Sequence, residues 1–253
     1  MANDVYPIGG DRILRVPRSP AAVADLRKEA VVIPVARAAG VRAPEIVSYA
    51  GDRMVQRRMP GTDLAGRPRT PSLLRELGRE LAGLHRVTTR PDGVPADAPA
   101  DPHRLVTSLR ADGMIDIETA AWLAGWFDRL GALVPAAPAP ALVHGDVAPQ
   151  NLLEEAGRLT GIVDWGDAMW ADPAVDFAKM PLVEVPAMLD GYGGDDVWPA
   201  RILWHHLMWA LGRLCDMTPR PGERHWTAPP ASRLLGLVRF FAAGPTGVWA
   251  GLG

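Results

Sequence analysis

The stretch "LVHGDVAPQNLL", residues 142–153, sets a polar, turn-forming centre between two apolar flanks. The flanks read as chain entering and leaving an interior, and the centre carries His144, Gly145, Asp146 and Asn151 in fixed order on a loop. An aspartate beside a glycine is ordinary turn chemistry, so the loop alone decides little. Immediately downstream, "NLLEEAGRLTGIVDWGD" (151–167) reads as a hairpin turning at Ala156–Gly157, with Asp164 at the end of its second strand. Such a hairpin brings Asn151 and Asp164 to neighbouring strand ends. One carboxylate at a loop tip beside a pair of hard oxygens is what phosphoryl transfer uses. It needs a base near the attacking hydroxyl and oxygen ligands for the magnesium ion on the nucleotide phosphates.

Working outward, the first sixty residues read as a small sheet with one helix. "DVYPI" and "RILRV" are short β-type runs joined through Gly9 and Gly10. A helix is expected from Ser19 and Pro20 to Gly40, with Pro34 kinking or dividing it. "EIVSYAGDRMVQRRM" (45–59) gives two further strands, and "PGTDLAGRP" (60–68) suits a linker. The character then turns helical. "TPSLLRELGRELAGLHRV" (70–87) repeats Leu73, Leu74, Leu77, Leu81 and Leu84 at helical spacing and ends at His85, expected to bond backbone carbonyls. "ETAAWLAGWFDRL" (118–130) and most of the last eighty residues also read as helix, while "VPAAPAPA" (134–141) reads as a spacer. His205 and His206, adjacent on a helix apolar nearly all round, point in different directions and read as packed residues.

The chain has 253 residues, with 48% apolar and 22% charged, ordinary for a soluble protein. A net charge of −2 gives no electrostatic footprint for nucleic acid. The single cysteine, Cys215, excludes an internal disulfide and fits a reducing, cytoplasmic setting. No run reaches the roughly 20 apolar residues that span a bilayer.

The order Asp-x-x-x-x-Asn followed by a second aspartate is also that of protein kinases. "HGDVAPQN" (144–151), "VDW" (163–165) and "ADPAVDFA" (171–178), taken together, resemble the aminoglycoside phosphotransferase family, the kinase-like small-molecule phosphotransferases. The resemblance implies an α+β, bilobal protein-kinase-like fold. A β-rich nucleotide-binding lobe would end at residue 58, and a larger helical lobe (59–253) would carry catalysis and the acceptor. It implies that Asp146 orients or deprotonates an acceptor hydroxyl, and that Asn151 and Asp164 hold Mg2+ against the phosphates of ATP or GTP. His144 would support the loop, Asp172 and Asp176 would be structural, and Asp176 would bond loop amides. Arg15 in "ILRVPRS" stands where many relatives have lysine for the nucleotide phosphates, and Glu29 would be its helix partner. Gln56, Arg57, Arg58 and Met59 resemble the hinge whose backbone meets the purine. The strand and glycine-rich turn that the family has before this point are expected to be missing. The implied partners are a nucleoside triphosphate and a small hydroxyl acceptor, with no nucleic acid or membrane, in a monomer or homodimer. An aminoglycoside is the leading acceptor; a macrolide, a sugar or choline-like alcohol, or a catalytically weak nucleotide-binding protein stay open.

Overall fold

The computed structural model describes residues 3–98, 100–134, 139–215 and 231–253. In chain order the elements are β1 (Asn3–Pro7), β2 (Arg12–Pro17), α1 (Pro20–Ala38), β3 (Ile46–Tyr49), β4 (Met54–Arg57), β5 (Thr62–Asp63), α2 (Pro71–Leu84), α3 (Pro102–Ala111) and α4 (Ile117–Leu133). There follow β6 (Ala141–Val143), β7 (Leu152–Glu155), β8 (Arg158–Ile162), β9 (Met169–Ala171), α5 (Val185–Tyr192), α6 (Trp198–Cys215) and α7 (Ala231–Ala242). The fold is α+β. Residues 135–138 of the proline–alanine spacer lie outside the described residues.

Two compact units share the chain: residues 1–97 with 138–193, and residues 98–137 with 194–253. The first holds an antiparallel sheet in the order β1-β2-β4-β3, a second sheet β5-β7-β8, and the pair β6-β9. Residues 3–58 therefore belong to the same unit as residues 144–151. Ser19 caps α1 by accepting from the Ala22 amide, and Pro20 supplies a helical φ at the first position. Pro34 sits inside one continuous helix and does not divide it, because Leu26, Val32, Ile33 and Ala36 around it are fully buried. Packing of that face outweighs the one backbone bond that proline removes.

Helix α2 starts at a Thr70 cap and buries all five leucines of its stripe to 3% exposure or less. Each contributes about 1.5–3 kcal/mol relative to an exposed side chain. The helix crosses α5 in backbone contact: a Cβ on Gly78 would lie 2.0 Å from the Met188 carbonyl oxygen, and one on Gly191 would lie 2.1 Å from that of Arg75. Only hydrogen fits at either place.

The second unit packs α3, α4, α6 and α7 around aromatic side chains. Trp126 is fully buried, meets Phe241 edge to face at 5.3 Å, and donates its indole N–H to the Leu252 carbonyl. Phe127 meets Trp204 at 5.0 Å. His206 is buried on α6 and His205 is half-buried beside it. Among the described residues no helix is long and apolar enough to cross a membrane.

Candidate active site

The loop 144–151 leaves β6, whose three residues are all buried, and ends in a short 3-10 turn, Pro149–Asn151, that leads into β7. Its shape is set at Gly145. That residue has φ 78°, and a Cβ there would come within 2.3 Å of the Asp167 carbonyl oxygen. Only glycine allows both the left-handed backbone and the close approach of the segment after β8.

His144 is fully buried and ties the loop at three points. Its amide donates to Asp176 Oδ2 at 2.9 Å, its Nδ1 accepts from the Asp146 amide at 3.2 Å, and its Nε2 reaches the Val163 carbonyl at 3.1 Å. An Nδ1 that accepts leaves the proton on Nε2, so the ring is neutral and donates to Val163. The ring also packs on the buried indole of Trp165 at 4.5 Å.

Asp176 is wholly buried and holds the loop from below. It accepts the amides of His144 (2.9 Å) and Gly145 (2.7 Å), and His85 Nε2 lies 3.0 Å from Oδ2. His85 Nδ1 in turn meets the Tyr192 hydroxyl at 3.0 Å. His85 thus serves two side chains, where the sequence reading gave it to backbone carbonyls. Asp172 caps the next turn by accepting from the Ala174 amide at 2.9 Å.

The Asp146 carboxylate is held at both oxygens. Asn151 Nδ2 donates to Oδ2 at 2.7 Å and also to the Asp146 carbonyl at 2.9 Å; Lys179 Nζ donates to Oδ1 at 2.6 Å. With its nitrogen turned to Asp146, Asn151 has its Oδ1 available as a hard ligand. The hairpin turns at Ala156 and Gly157, both with positive φ, and pairs Leu152 with Ile162. One step further the Val163 amide donates to the Asn151 carbonyl at 2.9 Å, so Asn151 and Asp164 sit at adjoining strand ends. Asp164 takes φ 67° and ψ 70°. A non-glycine residue there is strained, and the strain is held by Trp165, buried beside it with its indole N–H on the Ile162 carbonyl.

Arg15 on β2 forms a two-pronged pair with Glu29 of α1, one arm at 2.9 Å, and its Nη2 lies 3.6 Å from Asp164 Oδ1. Arg15 is 8% exposed and Glu29 1%. Arg15, Gln56, Arg58, Met59, Leu153 and Asp164 line one pocket of about 370 Å³. The Arg57 side chain turns to the surface, toward Glu45 and Asp11. The Arg57 and Arg58 amides donate to the Glu45 and Asp11 carbonyls. Lys179 and the His85–Asp176 bond were missed from sequence. Their only trace is a lysine three residues past Asp176 and a histidine closing the leucine stripe.

Burial pushes the Glu29 carboxyl up to about 7, against the pull of the Arg15 guanidinium. Between 4.5 and about 7 the folded chain keeps a proton here that the unfolded chain has lost. This group's contribution to stability is therefore full at low pH and declines as pH rises through that window. Between about pH 5 and about pH 8, wild type should lose stability relative to Glu29→Gln by at most about 3 kcal/mol. Urea unfolding of both proteins at the two pH values checks this, and a constant difference between them contradicts it.

The same arrangement of elements is known. The GDP complex of wild-type aminoglycoside 2'-phosphotransferase-IIIa superposes with a TM-score of 0.68 at 20% identity, over 96% of this chain and 90% of that one. The macrolide 2'-phosphotransferase MphH of Brachybacterium faecium gives 0.61 at 20% identity, over 98% and 89%. In sequence, the Bacillus subtilis (strain 168) protein YcbJ is 27% identical over 190 residues, 62% of this chain. Protein StrN of Streptomyces griseus is 33% identical over 81 residues, 32% of this chain. The matched region spans 58% of the YcbJ length and 23% of the StrN length. Residues 1–203, from the first sheet into α6, match the APH phosphotransferase enzyme family, and the chain belongs to that family.

Proposed function

We propose that the protein transfers the γ-phosphoryl group of ATP or GTP to a hydroxyl of a small molecule. The observation that carries the reading is the grouping, in one compact unit, of Asp146, Asn151 and Asp164 with the Arg15–Glu29 pair, Arg15 and Asp164 both lining one pocket.

The purine would lie in the pocket against Gln56–Met59. The Arg57 and Arg58 amides are already spent within the chain, so the segment's carbonyls and the Met59 amide are its candidate partners for the base. Arg15, steadied by Glu29, faces the phosphates; its planar fork suits two phosphate oxygens at once, where lysine would act as a point charge. A carboxylate and a carboxamide oxygen, completed by phosphate oxygens, are a donor set that fits magnesium. Asp164 and Asn151 would hold that ion, and when bound it neutralises charge on the β- and γ-phosphates.

Asp146 aligns the acceptor O–H and takes its proton as the oxygen bonds to the γ-phosphorus. The bond from that phosphorus to the β-phosphate oxygen breaks, and the nucleoside diphosphate leaves with the electron pair. Most of the barrier reduction comes from positioning and from charge placed in advance. Replacing Asp164 by alanine should weaken magnesium-dependent nucleotide binding at least about tenfold, one lost charge-assisted ligand. Titration of nucleotide with and without magnesium measures it; unchanged affinity removes Asp164 from the metal site.

An aminoglycoside is the acceptor that the family resemblance supports most, and a macrolide is the second reading, since MphH superposes nearly as well. A coupled assay of ADP and GDP release over aminoglycosides, macrolides, sugars and amino alcohols decides between them. Absence of acceptor-dependent release with every class, under confirmed nucleotide binding, overturns the transferase reading.

A further inference from the structure

The sequence reading gave Lys179 no part, yet its ammonium lies 2.6 Å from Oδ1 of Asp146. The contact follows from the fold. Asp176 fixes the His144 and Gly145 amides, and Lys179 follows Asp176 by three residues, so one anchor positions both the loop and the lysine. Both side chains remain partly open to solvent, at 20% and 21% exposure. Asp146 Oδ2 already accepts from the Asn151 amide, and a hydroxyl that bonds to Oδ1 comes in beside the Lys179 ammonium.

The pair is electrically neutral as a whole. A hydroxyl can share a neutral pair, since it both donates to the carboxylate and accepts from the ammonium. A second ammonium close to that hydroxyl meets a like charge at short range, where screening by water is reduced. We infer that Lys179 determines acceptor specificity: it favours a hydroxyl whose neighbouring substituents are neutral or anionic and selects against one with an amine beside it. The inference rests on the phosphotransferase reading and narrows it. A polycationic acceptor is still admitted, provided its ammonium groups lie away from the hydroxyl that reacts.

The test compares wild type, Lys179→Met and Lys179→Arg on two matched acceptor pairs, kanamycin A with kanamycin B and glycerol with 2-amino-1,3-propanediol. Within each pair a hydroxyl is exchanged for an amine. Methionine keeps the length of the stem without the charge, and arginine keeps the charge. Wild type and Lys179→Arg should prefer the hydroxyl member of a pair that turns over by at least about tenfold in kcat/KM. In Lys179→Met the preference should shrink to about twofold or less while nucleotide KM stays as in wild type. Thermal unfolding with nucleotide confirms that each variant is folded. Turnover with the preference intact in Lys179→Met, or a wild-type preference for the amine member, overturns the inference alone. No phosphate transfer by wild type to any of the four, with transfer to another acceptor class, overturns the inference alone; no transfer to any acceptor class overturns the transferase reading and the inference with it.

Discussion

Asp146→Ala should lower kcat by about 10²–10⁴-fold, the range that a positioned general base supplies. Nucleotide affinity should change by less than about threefold, because Asp146 is not among the residues lining the pocket proposed for the nucleotide. The separation between the two effects is the informative part. Asn151 and Lys179 both donate to this carboxylate, so its removal leaves two donors facing the place where the acceptor hydroxyl should sit. Asp146→Asn keeps the volume but presents an amide nitrogen toward at least one of those donors, and so should be no more active than alanine. Single-turnover kinetics with a confirmed acceptor distinguish lost chemistry from lost binding. Wild-type turnover in Asp146→Ala would remove the base from the mechanism.

The second large effect is on folding. Asp176→Ala should destabilise the protein by about 3–5 kcal/mol, because it strands three buried donors at once: the amides of His144 and Gly145, and His85 Nε2. Burial pushes the Asp176 carboxyl up, but the hydrogen bond and charge of His85, with the hydrogen bond from the His144 amide, overcome it and hold it below 3.8. The stability it contributes is therefore present above that value and lost as pH falls further. The acid limb of wild-type unfolding should accordingly be shallower in the variant. Urea unfolding at neutral pH measures the first claim, and a loss under about 1 kcal/mol contradicts it. Activity should fall with stability here, since the same carboxylate shapes the loop.

Local signals carried the reading of the fold. The turn at Ala156–Gly157, the leucine stripe of α2 and the proline-led start of α1 all depend on residues within a few positions of each other. The order from Asp146 to Asn151 to Asp164 was legible for the same reason, since only one hairpin separates them. What sequence withheld lies across long separations. His85 meets Asp176 over 91 residues and Tyr192 over 107, and Lys179 meets Asp146 over 33. No periodicity relates such positions, because the path of the chain decides the contact. The division of residues 1–97 and 138–193 into one unit is hidden likewise, for it depends on how strands far apart in the chain come to pack.

The crossing of α2 and α5 bears on motion. With only hydrogens at Gly78 and Gly191, the two backbones interlock without a layer of side chains that could re-pack or slip. His85 closes α2 and Tyr192 closes α5, and their hydrogen bond ties the interlocked ends to the floor of the loop. The amides of that floor should be among the slowest to exchange with deuterium in this unit. Any rearrangement accompanying a reaction cycle must then be borne by the rim above it.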